Sequence, residues 1–261
     1  MAEKFKYSNE QIANLLDDIQ SGVITDMELP EDLYHAIADY LKTGLYEGFG
    51  GTIAEFEGNN LALLNELREN VYMFSAAKTF HQVQELQSCL FNEAGELRSA
   101  KEYTQLAEQT FETWNEAWGL TERQTAISQA QSAKVWDKAQ SEKKSLPYLT
   151  YSTIGDACDI CAPLDGLTAP VDDHIWHTVM PTNHFNCLCV VSQQDSEVIP
   201  TSEDDKEAIF KAVDSEMSDN FKMNAGIDKI VFSDKHPYFE VGEKYAEFAK
   251  MNFGLPIPDE D

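Results

Sequence analysis

The sequence predicts an α+β fold, mainly helical, with a helical first half followed by a small, loop-rich α+β region. Three observations carry this. Apolar residues recur at helical spacing from Ile12 to Val135. Pro147 then interrupts the run, ahead of a stretch of strand composition, YLTYST. Beyond it, four of the five cysteines fall within residues 158–189, a segment with little periodicity of either kind.

The elements follow in order. Ser8 caps a first helix with Ile12, Leu15, Leu16 and Ile19 on one face, and Gly22 ends it. Pro30 opens a second, carrying Leu33, Ile37, Tyr40 and Leu41, with Gly44 as its stop. Residues 44–52, GLYEGFGGT, read as a turn or close-packing loop; they follow no strand, so a phosphate cradle is a poor reading. From 60 to 90 the series Leu61, Leu64, Leu67, Val71, Phe74, Phe80, Val83, Leu86 and Leu90 predicts one long or two consecutive helices, and 92–95 a turn. Ser99 with Glu102 forms a capping box before a helix bearing Tyr103, Leu106, Phe111, Trp114 and Trp118. Thr121 with Gln124 repeats that device before a helix bearing Ile127, Ala130 and Val135. After the strand at 148–153, a loop-rich stretch runs to Leu188 and a short strand follows at 189–192. The tail predicts helices at 204–217 and near 243–252, a strand at 227–232, and a mobile acidic end.

Charge narrows the function classes. Lys and Arg number 19 against 46 acids, a formal net charge of -27, and the tail from Asp195 holds 17 acids against 7 lysines. Such a chain repels phosphate backbones and anionic lipid headgroups. No Lys or Arg stands between residues 146 and 205, where a nucleic-acid-reading finger would place them. No apolar run is long enough for a membrane span, and the N-terminus lacks the apolar core of a signal peptide, so synthesis in the cytoplasm is expected.

Residues 156–189, DACDICAPLDGLTAPVDDHIWHTVMPTNHFNCLC, carry the chemistry. Cys158 and Cys161 have the spacing that lets two thiolates bite one tetrahedral ion; His184, Cys187 and Cys189 add three candidates. A closed structural zinc site takes four ligands, so one of the five is spare. Knuckle spacing selects Cys158, Cys161, His184 and Cys187; a bite using Cys187 and Cys189 is the other option. Two disulfides, or reduced and buried thiols, are the alternatives, and a reducing compartment favours metal over disulfides. A metal clip would offset the closure entropy of a segment with little core.

The remaining candidates have plainer readings. Cys89 is a small buried hydrophobe, His35 and His81 are surface or core fillers, and His236 is a turn residue. His174 and His177 flank Trp176 as outer groups of the site or as solvated side chains. Trp114, Trp118 and Trp136 lie on helices as core. There is no nucleophile elbow, Walker loop or His-Glu-x-x-His helix, and pairing Cys187 with His184 as a nucleophile would leave the other cysteines without purpose. No catalytic residues and no enzymatic activity are expected.

Residues 92–191 resemble the head-morphogenesis family typified by the F protein of phage Mu, in particular its branch in phages of the Bacteroidetes. NEAGELRSAKEY and ERQTAISQAQSAKVWDKA are similar to the family's domain entry and long helix. PYLTYSTIGDACDICAPLDGLTAPVDD and PTNHFNCLC look like its Cys pair, Leu-Asp-Gly turn and terminal Cys-x-Cys, and NFKMNAG followed by IVFSDKHPYF is similar to the branch's extension. Leu188 and Thr182 stand where the family commonly has Arg and Pro. The resemblance implies a helical docking region at 1–91, the family domain at 92–192 and an acidic extension at 193–261. It implies a minor capsid protein at the portal vertex, in several copies, contacting the portal and major capsid proteins. Head assembly, with DNA ejection as a further role, is the implied function, and the virion the implied location. Contact surfaces are expected first at 46–51 and in the acidic tail. The competing readings are a metal-stabilised DNA-binding or regulatory module and, more distantly, a metal hydrolase or toxin.

Overall fold

The computed structural model describes residues 4–155 and 158–258. The acidic end at 259–261, and Asp156 and Ala157 of the cysteine motif, lie outside the described residues.

Helix α1 (Asn9–Ser21) starts at a complete capping box between Ser8 and Gln11 and closes on Gly22 at φ 78°. Helix α2 (Glu31–Phe49) begins after Pro30 but passes through Gly44, the expected stop. A helical Gly costs about 1 kcal/mol relative to Ala, and the burial of Leu45 and Phe49, both 0% exposed, outweighs it. The glycine-rich segment is therefore largely helix, and the turn comes at Gly50, φ 86°. Gly48 is a close-packing position: a Cβ there would lie 2.1 Å from the Ile127 carbonyl oxygen. Phe49 packs edge-on against Phe56, and its carbonyl accepts from Lys134 Nζ at 2.7 Å. Of the surface expected at 46–51, Gly48 and Phe49 are interior, Tyr46 and Gly51 half-buried, and Glu47 and Gly50 exposed.

Helix α3 (Gly58–Ser88) is one uninterrupted helix, and residues 92–95 form the expected turn. Helix α4 (Ala100–Glu112) starts at the Ser99–Glu102 capping box. No second start occurs at Thr121. Residues Thr113–Trp118 widen into a π-helical turn that leads straight into α5 (Gly119–Glu142), and the Thr121 hydroxyl donates back to the Ala117 carbonyl at 3.5 Å. The cause is distant in sequence: the Trp114 carbonyl accepts from both the Gly119 amide and, at 2.7 Å, Lys78 Nζ. Trp114 and Trp136 are buried as expected, whereas Trp118 is 43% exposed.

Strand β1 (Tyr148–Ser152) is central in a three-stranded antiparallel sheet, between β2 (Thr168–Pro170) and β3 (Val190–Gln194). Helix α6 (Trp176–Val179) breaks the loop-rich stretch. The tail forms α7 (Glu203–Asp214), α8 (Ala225–Asp228) and α9 (Ala246–Lys250), the last entered through a 3-10 turn at Glu243–Tyr245. The strand expected at 227–232 does not form. Gly226 seats against the Trp136 ring, Asn224 caps the turn at the Gly226 amide, and Val231 and Phe232 are buried without strand pairing.

The chain divides into two compact units. The first comprises Met1–Thr43, Glu69–Arg123 and Pro237–Asp261; the second, Gly44–Arg68 and Gln124–His236. In the first, Tyr34, Tyr72, Phe80, Phe248, Phe253 and Leu255 share a core, and the buried side chains of Lys78 and Glu122 form an ion pair. In the second, Trp136, Leu149, Tyr151, Leu167, Trp176 and Val179 form the core under the sheet. Among the described residues no helix is long and apolar enough to cross a membrane.

Candidate metal centre

Alternation in β1 sends Leu149 and Tyr151 into the core and leaves Tyr148, Thr150 and Ser152 half-buried. From this face the Tyr151 hydroxyl donates to Cys161 Sγ at 3.5 Å and accepts from Asn183 Nδ2 at 3.0 Å. Asn183, fully buried, is itself fixed by the Val179 carbonyl at 3.2 Å. Cys161 precedes the 3-10 turn Ala162–Leu164, and its amide donates to Cys158 Sγ at 3.4 Å.

All five ligand candidates converge as two overlapping groups. Cys158, Cys161 and His184 form one, and Cys161, Cys187 and Cys189 the other, with ligand atoms in each group within 4.8 Å of one another. Cys158 Sγ lies 3.1 Å from His184 Nε2, and Cys161 Sγ lies 3.9 Å from Cys187 Sγ. That sulfur separation is far beyond a disulfide bond. It matches the edge of a tetrahedron with metal–sulfur bonds of about 2.3 Å, which is about 3.8 Å. All five cysteines are free thiols.

The histidine tautomer is set by its neighbour. His184 Nδ1 sits 2.8 Å from the Phe185 carbonyl oxygen, which can only accept, so Nδ1 carries the proton and Nε2 turns its lone pair toward Cys158. Metal-ligating imidazoles are commonly oriented in this way.

The three neighbouring sulfurs of Cys161, Cys187 and Cys189 share hydrogen bonds that favour the thiolate at Cys189 and the thiol at the other two. Hydrogen bonds from Cys161 and then Cys187 hold the Cys189 thiol down at about 2, with the Ile154 amide assisting. Cys161 is pushed up, first by its bond to Cys187 and then by Cys189 and burial. At Cys187 the contact with Cys161 pulls down, but Cys189 and burial raise it further, and the net shift is upward. The Asn183 and Cys189 amides both bond Cys187. Crowded sulfurs that compete for one negative charge, with amide donors beside them, are a setting in which a bound cation would favour the thiolate form. Cys161 and Cys187 are buried and Cys158 is exposed, so the cluster sits at the boundary of the core. These residues are able to hold a metal ion.

The other sequence candidates stand apart from it. His174 has a 94% exposed side chain beside Asp173, and His177 is exposed, so neither is an outer group of the site. Cys89 is buried, 3.6 Å from Thr110 Oγ1. His81 bonds the Tyr238 carbonyl at 3.0 Å, and His236 packs between Phe185 and Phe232. Sequence reasoning missed Tyr151 and Asn183; the inward alternation of YLTYS was a usable signal for the first, and Asn183 had none.

Residues 94–192 match the family model described as phage Mu protein F like protein. The Mu F-like segment takes in α4, α5, most of the sheet and every candidate ligand. No curated protein and no solved structure matches the chain.

Proposed function

We propose that the chain is a minor head protein of a tailed phage, a structural component at the portal vertex whose Mu F-like segment is held in shape by a zinc ion. The observation that carries the reading is the match over residues 94–192, which suggests phage head morphogenesis and encloses the whole thiol cluster. In this reading residues 1–91 dock, 92–192 form the clipped domain and 193–261 extend from it. Its partners are the portal and major capsid proteins, it is present in several copies, and it is made in the host cytoplasm before entering the virion. DNA ejection is a further role; the net charge of -27 favours protein contacts over direct DNA contact.

The zinc ligands are Cys158, Cys161, His184 and Cys187, with Cys189 as the spare donor. This set fills four positions and leaves none for a reacting water, which makes the centre structural rather than catalytic. Bound there, the ion would supply cohesion to a segment whose regular structure is limited to a few short turns and strands. Sedimentation of phage heads from infected cells tests the reading. The protein should travel with the heads, and deleting it should lower the yield of filled particles. A protein that stays in the soluble fraction throughout infection, with normal head yield, would refute it.

A further inference from the structure

Strand β3 is the outer strand of the sheet, and its pairing settles which backbone groups remain open. The Tyr151 amide donates to Leu167 and its carbonyl accepts from Gly166, so Tyr151 faces β2. Tyr148, Thr150 and Ser152 therefore face β3, opposite Gln194, Ser192 and Val190. By the alternation of an antiparallel ladder, the N–H and C=O groups of Val191 and Gln193 point away from β1. Among the described residues, no backbone hydrogen bond meets them on that side.

A groove of about 270 Å³ lies beside this edge. Ile127, Gln131, Ser132 and Val135 of α5 form one wall, and Leu188 and Val190 stand opposite. No Asp, Glu, Lys or Arg lines the groove, and Cys187 and Cys189 of the thiol cluster also border it. Leu188 is 57% exposed, Val190 47% and Val135 38%, an apolar rim for a strand that already offers open hydrogen-bonding groups. A short edge strand needs no partner by itself. Ser132 points further: it is 6% exposed, it lines the groove, and its hydroxyl oxygen has no hydrogen-bond partner. A buried hydroxyl without a partner is costly, and a chain seated in the groove would reach it only by displacing the atoms that cover it.

We propose that this groove receives an extended, lysine- or arginine-flanked segment of a partner protein, which enters as a fourth strand beside β3 and sets apolar side chains against α5. Charge selects this occupant. Two copies of a chain at -27 repel each other, so edge-to-edge pairing of β3 with a second copy is disfavoured. The stretch between residues 146 and 205 contains acids but no Lys or Arg, and it attracts a cationic segment. Backbone pairing supplies the affinity and alternate side chains the selectivity, as in other strand-addition complexes. The inference goes beyond the head-protein reading and stands without it, since it uses only the edge, the groove and the charge.

The probe is an acetylated, amidated heptapeptide in which valine and threonine alternate between terminal lysines, titrated into the full chain at low salt. Binding should slow amide exchange of Val191 and Gln193 by at least about tenfold while leaving Ser192, already bonded to β1, unchanged. Val135→Arg, on the exposed helix wall, should weaken binding about tenfold or more without changing the melting temperature. Val191→Pro should abolish it, because it removes an outward amide and no ladder bond. An acid-flanked version of the peptide should bind far more weakly. Failure of the lysine-flanked peptide to bind, binding that leaves Val191 and Gln193 unprotected, or binding indifferent to Val135→Arg would overturn the proposal. So would self-association that protects the same two amides, which would assign the groove to a second copy.

Discussion

Around Lys78 and around Cys161 the protein takes polar groups out of water in two different ways. The Lys78 ammonium is 1% exposed, and it finds the Glu122 carboxylate, the Trp114 carbonyl and the face of the Trp114 ring; Glu122 also accepts from the Tyr238 hydroxyl at 3.1 Å. Burial pulls the Lys78 pKa down, and Glu122 opposes it. Charge is balanced there within the polypeptide. Around Cys161 the donors are five side chains with amides directed at the sulfurs, and no Lys or Arg occurs anywhere between residues 146 and 205. The first arrangement is complete by itself, whereas the second is one that could hold a cation. On the proposed zinc reading, the contrast separates a region indifferent to chelator from one whose order follows metal supply.

The largest effect expected in the self-sufficient region comes from breaking its ion pair. Lys78→Met strands the Glu122 carboxylate among buried neighbours, and chemical denaturation should show a loss of about 3–5 kcal/mol. The double change Lys78→Met with Glu122→Leu should recover most of it; equal losses in the single and double variants would show that the charges do not compensate each other. Gly48→Ala comes next. Its Cβ meets a backbone oxygen that cannot swing away, so a loss of about 1–3 kcal/mol is expected, and an unchanged denaturation midpoint would mean that α2 and α5 are not in close contact at this position.

Ser99→Ala removes the hydroxyl of the α4 capping box, at a cost of about 1 kcal/mol, and Ser99→Asp should restore it. The smallest effect belongs to acid. Burial would raise the Asp173 carboxyl, but Lys206 and the Ile175 amide hold it below its ordinary 3.8. Its contribution is therefore present above about pH 4 and is lost as pH falls through the depressed value. Asp173→Asn should flatten that part of the stability profile. The first three effects should be the same with and without chelator, whereas the Asp173 effect, which lies within residues 158–189, should shrink once metal is removed; that difference sharpens the contrast with the thiol cluster.

What could be read from the chain divides along the range of the interactions. Caps and periodicity are local, so Ser8 with Gln11, Ser99 with Glu102, and the apolar stripe of α3 announce their helices. Thr121 shows the same capping signature and starts nothing, because the amine of Lys78, thirty-six positions before Trp114 along the chain, accommodates the Trp114 carbonyl in a continuous helix. The apolar run at 227–232 has strand composition, yet contact between Gly226 and Trp136 turns it into a buried helical turn and coil. The glycines at 44–51 signalled close approach correctly, but the approach lies within a helix rather than a loop. At the site, ligand spacing along the chain announced the convergence of Cys158, Cys161, His184, Cys187 and Cys189, while the support from Tyr151 and Asn183 required the folded sheet.

Metal analysis of the purified full chain, combined with amide exchange before and after a strong chelator, tests the central claim most directly. The account predicts about one zinc per chain, lost on chelation together with protection across residues 158–189, while α3 and α4 exchange as before. A chain that carries no metal, with residues 158–189 equally protected in chelator and after Cys161→Ser, would contradict it.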